Sequence, residues 1–268
     1  MTKGWLGAVL LAALAAAPPA AAQSVGEDLE WALEHIVFIW VAPTRIQSAD
    51  LVPIGGVLAA TAGAVLVDGA VADWLRENDG SAVARTLEPF GNESPVNAIG
   101  RTLVLQGLSV ALYGIGHATE SSDLREAAIG CAAANLSTTT SRFVFANLIG
   151  RLRPRYDGGP FVIEPFAFGD WSMRSFFGGH AANIMSCASF WNHRFDMGLA
   201  EPALYALAGA VGLARVVDEA HWLSDTLVGI VYGIAIGKGI AARSRSRSRD
   251  STAEQFAPAL RLGWQIRF

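Results

Sequence analysis

Two histidines, an aspartate and several arginines in the second half of the chain have the types and spacings that phosphate chemistry uses. In Ala214-Arg215-Val216-Val217-Asp218-Glu219-Ala220-His221-Trp222-Leu223-Ser224-Asp225, His221 and Asp225 stand four apart. On a helix that spacing puts both on one face. A carboxylate there could hold one imidazole nitrogen and leave the other free to attack. The plainer alternative is a histidine at a helix start beside a capping acid. Arg215 lies off that face, and a turn through residues 218–220 would bring it to His221. In Ser175-Phe176-Phe177-Gly178-Gly179-His180-Ala181, paired glycines precede a helix start. Free amides at such a start bind anions, and His180 there could carry a proton. Gly150-Arg151-Leu152-Arg153-Pro154-Arg155 ends another helix with three guanidinium groups, which bind phosphate oxygens bidentately and keep their charge. Each stretch alone is weak, because arginines at a helix end also cap carbonyls.

The elements that must position these residues are apolar. Of 268 residues, 52% are hydrophobic and 16% charged, with a net charge of −4. That balance gives no electrostatic case for nucleic acid. No Cys/His spacing resembles a zinc site and no carboxylate cluster suggests a metal. Cys131 and Cys187 lie in apolar helical stretches and read as two buried thiols, with a disulfide open to them in an oxidising compartment. Residues 28–46, 51–67, 96–116, 124–150, 181–192, 201–217 and 221–242 read as helices, and clear strand alternation is missing before the tail. The expected fold is all-α, a bundle of six or seven helices. Uncharged runs such as residues 51–67 are at the lower edge of spanning length. Membrane embedding is the expectation, although helices buried in a soluble bundle would have a similar composition.

The ends have their own signatures. Lys3, an apolar run, Pro18-Pro19 and Ala20-Ala21-Ala22 read as an export signal over residues 1–22. The helical domain is expected over residues 23–242. Residues 243–250 alternate Arg and Ser and read as a solvated linker. If the preceding helix spans, that positive charge belongs on the cytoplasmic side, which puts His221 on the periplasmic side. Leu260, Leu262, Trp264, Ile266 and Phe268 alternate with polar residues or glycine, as in a short strand or extended tail.

Together the three stretches resemble the type 2 phosphatidic acid phosphatase family, which includes bacterial acid phosphatases and vanadium haloperoxidases. Its pattern is K-x6-R-P, then P-S-G-H, then S-R-x5-H-x3-D. Arg153-Pro154, Gly179-His180, and Arg215, His221 and Asp225 match it. The lysine position holds Ala146, Pro-Ser is Phe177-Gly178, and the third serine is Ala214. The resemblance implies His221 as nucleophile, Asp225 orienting it and His180 as general acid. It implies Arg153, Arg215 and the backbone at Gly178 and Gly179 as the phosphate site. Arg142, one turn before Ala146, or Arg151 would replace the missing positive charge. The implied activity is a metal-independent, cofactor-free phosphatase of the bacterial cell envelope, working through a phosphohistidine. Its substrate would be a phosphorylated lipid or a small phosphoester. The alternatives are a non-catalytic protein binding phosphorylated lipid and, less favoured, a vanadate-dependent haloperoxidase.

Overall fold

In the computed structural model, residues 25–256 are described, with side chains to residue 245. The export signal and the alternating tail expected from the sequence lie outside the described residues. The described chain is all-α: α1 (Val25–Val41), α2 (Leu51–Glu77), α3 (Ala82–Leu87), α4 (Thr102–Ala118), α5 (Ser122–Ile149), α6 (Gly179–Arg194), α7 (Ala200–Val217) and α8 (Leu223–Phe256). The six-residue α3 has too few residues to show a period and was not expected. Residues 97–100 form a 3-10 turn, so α4 begins at Thr102 and leaves Arg101 in extended backbone before it. The Arg-Ser stretch is helical, because α8 continues through it to Phe256.

α6 and α8 form the centre, and their sequences explain how closely they approach. Gly229, Gly233 and Gly237 recur every four residues along α8. A Cβ on each would stand 2.4, 2.5 and 2.3 Å from the carbonyl oxygens of Gly178, Ala182 and Ser186. Only glycine permits that contact, and small residues at this spacing let helix backbones meet. The seam fixes the segment carrying His180 against the segment carrying Asp225. α5 packs on the other side of α6, where Gly130 accommodates the Phe190 ring. Cys131 and Cys187 are disulfide-bonded between these two helices rather than two thiols. Their side chains face one another between α5 and α6, which helical patterning within either segment could not reveal. Trp31 and Ile39 of α1 close the far end against Ile236 and Ile240.

Among the described residues, three helices are long and apolar enough to cross a membrane: residues 48–77, with a mean hydropathy of 1.8, α7 with 1.3, and residues 223–245 with 1.4. Only 6% of the apolar window in the first is buried by the rest of the protein. Val52, Leu58 and Leu66 are among its exposed residues, and Leu103 and Val110 are exposed on α4. Apolar surface on this scale is what lipid, not water, would cover.

Candidate active site

The site is built where the loop between α5 and α6 crosses the starts of α6 and α8. α5 ends at Gly150 in left-handed backbone (φ 61°), where any Cβ would collide with the Glu164 carbonyl oxygen at 1.7 Å. The chain then threads inward. Leu152 N donates to Val162 O, Arg153 N to Ser172 O, and Ser175 N to Arg151 O. The irregular path of residues 151–155 sends the three arginines to different places. Arg155 faces outward and donates to the carbonyls of Asp218 and Glu219. Arg153 is buried, lies 4.8 Å from the Trp171 ring and donates to Arg174 O. Arg151 is clamped between two buried carboxylates, Asp68 and Asp225, at 2.7 Å each. It also donates to Ser224 Oγ and Pro160 O. With those partners Arg151 is occupied structurally and does not replace the missing lysine.

His221 is 3% exposed and precedes α8 rather than lying on it. The expected four-residue helical relation to Asp225 therefore does not form. Asp225 instead accepts from Trp222 N at 3.2 Å, as an acid in a first helical turn does. Its other partners are Arg151 and Ser175 Oγ, the latter at 2.5 Å. His221 is oriented by the Ser175 carbonyl, 2.6 Å from Nδ1. A carbonyl only accepts, so Nδ1 is the protonated nitrogen and Nε2 keeps its lone pair. Asp225 thus reaches His221 through Ser175 rather than directly. The expected turn before His221 is present: Glu219 adopts φ 53°, and Ala220 N and His221 N both donate to Arg215 O.

His180 is the second residue of α6, pressed against residue 100, where a Cβ would stand 2.7 Å from the histidine's own Cβ. The Gly178 amide is taken by the Asp225 carbonyl at 2.8 Å, so it is not a free anion donor. The helix-start donors that remain begin at Gly179. A side chain at Gly179 would overlap Arg142, which lies across the helix start with its Cδ and Nε 2.6 Å from that Cβ position. Arg142 donates to Phe177 O and, like Arg153, to Arg174 O. Ala146, at the lysine position, is buried one turn further along α5. Arg215 is held by Asn92 and Asp218. Arg153, Arg174 and Arg215 each keep a buried Nε–H with no hydrogen-bond partner.

Arg142, Arg153 and Arg215 act on both histidines, which brings His180, His221 and these arginines into one electrostatic environment. Burial, then the arginines, lowers His180 to about 3, and the same causes hold His221 well below its ordinary 6.5. Both are neutral at pH 7 without a bound anion. As pH falls below 6.5, the unfolded chain gains protons on these histidines before the folded protein does. Stability should therefore fall from pH 6.5 downward, on the His180 side as far as about pH 3. Inorganic phosphate should oppose that loss by offsetting the arginine charge. Thermal melts from pH 7 to 4, with and without phosphate, check this; a flat profile would contradict it.

Sequence reasoning missed Asp68, which lies one residue beyond the uncharged run read as a helix. A lone acid ending such a run was its only signal. Arg174 and Asn92 gave no signal, nor did Arg101, whose charge also acts on His180; each reaches the site through tertiary packing.

Residues 127–249, a little under half of the chain, match the model of the PAP2 superfamily. The chain is also similar to the protein named lipid A 1-phosphatase of Porphyromonas gingivalis, 32% identical over 93 residues. That alignment covers 33% of this chain and 17% of the other protein's length. No solved structure matches.

Proposed function

We propose that the protein is a phosphatase acting on phosphate esters at a membrane surface, most suitably phosphorylated lipids. The observation that carries this reading is the surround of His221: a neutral imidazole with Nε2 unprotonated, among arginines that retain unpaired buried N–H donors. In the proposed reaction, His221 Nε2 attacks phosphorus and forms an N–P bond as the ester P–O bond breaks. The leaving oxygen takes a proton from His180. Water then attacks the phosphohistidine, His180 accepts its proton, and phosphate leaves. Arg142, Arg153 and Arg215 stabilise the transferring group, which needs positioning and positive charge more than covalent help. The lowered His180 pKa means that its catalytic proton arrives with the substrate, either on the phosphate monoanion or through charge offset by the dianion.

Membrane presentation is supported by the surroundings. The uncharged part of α2 ends at Asp68, which binds Arg151 at the site, and Pro160 of the site loop packs beside Gly69. The same loop exposes Phe161, Ile163, Phe166, Phe168 and Trp171, the residue types that favour a lipid–water boundary. Along α8, residues 223–243 rise about 30 Å, roughly one hydrocarbon core. The basic stretch and His221 would then lie on opposite sides, with His221 periplasmic by the positive-inside rule. The similarity to a lipid A 1-phosphatase supports an amphiphilic substrate class.

The test is phosphate release from a panel of lipid and soluble phosphate esters by protein in detergent or liposomes, with and without chelator. Hydrolysis should favour the lipids and survive the chelator, because arginines supply the positive charge. Activity lost in chelator and restored by magnesium would overturn the metal-independent scheme. Binding of every ester with hydrolysis of none would leave only a lipid-binding protein.

A further inference from the structure

Asp68 is the one acid in the apolar run of α2, and it is 1% exposed. An ionisable residue inside a spanning helix is costly unless it is paired, so its partners indicate its use. Its Oδ2 accepts from Arg151 Nη2 at 2.7 Å and from Ser224 Oγ at 2.5 Å, and its Oδ1 accepts from Ser224 N at 2.9 Å. Arg151 Nη1 passes to Asp225 Oδ1 at 2.7 Å, Asp225 Oδ2 accepts from Ser175 Oγ, and the Ser175 carbonyl holds His221 Nδ1. Every link is buried. Two carboxylates on different helices thus share one guanidinium, and its planar fork fixes the direction of both.

We infer that Asp68 is a positioning residue for His221, acting through Arg151 and Ser224 on Asp225 and Ser175. The inference rests on the functional reading above. Without the Asp68 carboxylate, Arg151 has a single anionic partner and can swing toward Asp225. Ser224, at the start of α8, loses its tether to α2. Ser175 is then free to shift, and with it the carbonyl that aims the imidazole. A displacement of about 1 Å in a reacting group can cost on the order of a hundredfold in rate. The cluster also ties a lipid-facing helix to the nucleophile, which explains why α2 carries an acid where its lipid-facing residues are apolar. Asp68 touches no reacting atom, so its loss should be felt in the chemical step and not in substrate binding.

The experiment uses the full chain in liposomes and an aryl phosphate, which removes leaving-group protonation from the measurement. Asp68→Asn keeps the size and an acceptor for Ser224, and leaves Arg151 paired one to one with Asp225. It should lower kcat by roughly ten- to a hundredfold and leave KM within about threefold. The double variant with Asp225→Asn should be no slower than Asp225→Asn alone, because the two acids act along one path. Wild-type kcat in Asp68→Asn, or losses that multiply in the double variant, would overturn the inference. Should Asp68→Asn fail to fold, Ser224→Ala replaces it, with a smaller fall in kcat expected and an unchanged kcat as the contrary result. His221→Ala is assayed in parallel: if it stays active the functional reading itself fails, whereas an inactive His221→Ala beside a fully active Asp68→Asn removes only the role of Asp68.

Discussion

His221→Ala should abolish the proposed turnover, lowering kcat on the order of ten-thousand-fold or more, for every ester the protein accepts. The proposed nucleophile has no substitute nearby. His180 lies at the start of α6, where it is proposed to serve the leaving oxygen, and Asp225 is consumed by Arg151, Ser175 and Trp222 N. The fold should tolerate the change, because α6 and α8 are held together by the glycine seam and not by the imidazole. The variant should still bind phosphate, since Arg142, Arg153 and Arg215 do not depend on His221 for their hydrogen bonds. Steady-state assays with a phosphate-competition measurement separate these effects. Substantial activity in the variant would mean that another group, or water directly, attacks phosphorus.

His180→Ala should reduce kcat by roughly a hundredfold or more for alkyl esters, whose leaving oxygen needs a proton. For aryl esters with stable leaving anions kcat/KM, which reports phosphohistidine formation, should fall much less, while kcat still falls because phosphohistidine hydrolysis lacks its base. The environment of His180 adds a pH signature. With a pKa of about 3 in the free site, His180 gains its proton only with substrate, from the phosphate monoanion or from solvent once the dianion offsets the arginine charge, and both routes have the same pH dependence. For alkyl esters kcat/KM should therefore fall about tenfold per pH unit above the second phosphate pKa, near 6. In His180→Ala that slope should flatten. Equal losses of kcat/KM on both ester types would assign His180 a binding or packing role instead.

The fold class was legible in the sequence because long apolar segments with few strand signals leave little besides helices to form. The residues converging on the site were legible as far as local spacing carries. The turn before His221 and the helix start at His180 follow from their own short segments. The hydrogen-bond partners were less legible, for a physical reason. Asp225 belongs to the first turn of α8, where backbone N–H groups compete for its carboxylate, so the histidine was left to the Ser175 carbonyl. Arg151, Arg153 and Arg155 look equivalent in sequence, but the threaded backbone sends them respectively to buried acids, to the site and to exposed carbonyls. Asp68 comes from a helix more than eighty residues earlier in the chain, and no local pattern could have linked it to Arg151. The cysteine pairing was likewise a question of two helices meeting.

A phosphoryl group on His221 is the central claim, and rapid quenching tests it most directly. Protein mixed with phosphate-labelled substrate and stopped within a turnover should carry acid-labile, base-stable label. The label should map to the peptide containing His221 and be absent from His221→Ala. It should accumulate in His180→Ala given an aryl ester, where the phosphohistidine forms readily but its hydrolysis lacks a base. Label on no residue at any quench time while phosphate is released, or label on a residue other than His221, would contradict the account.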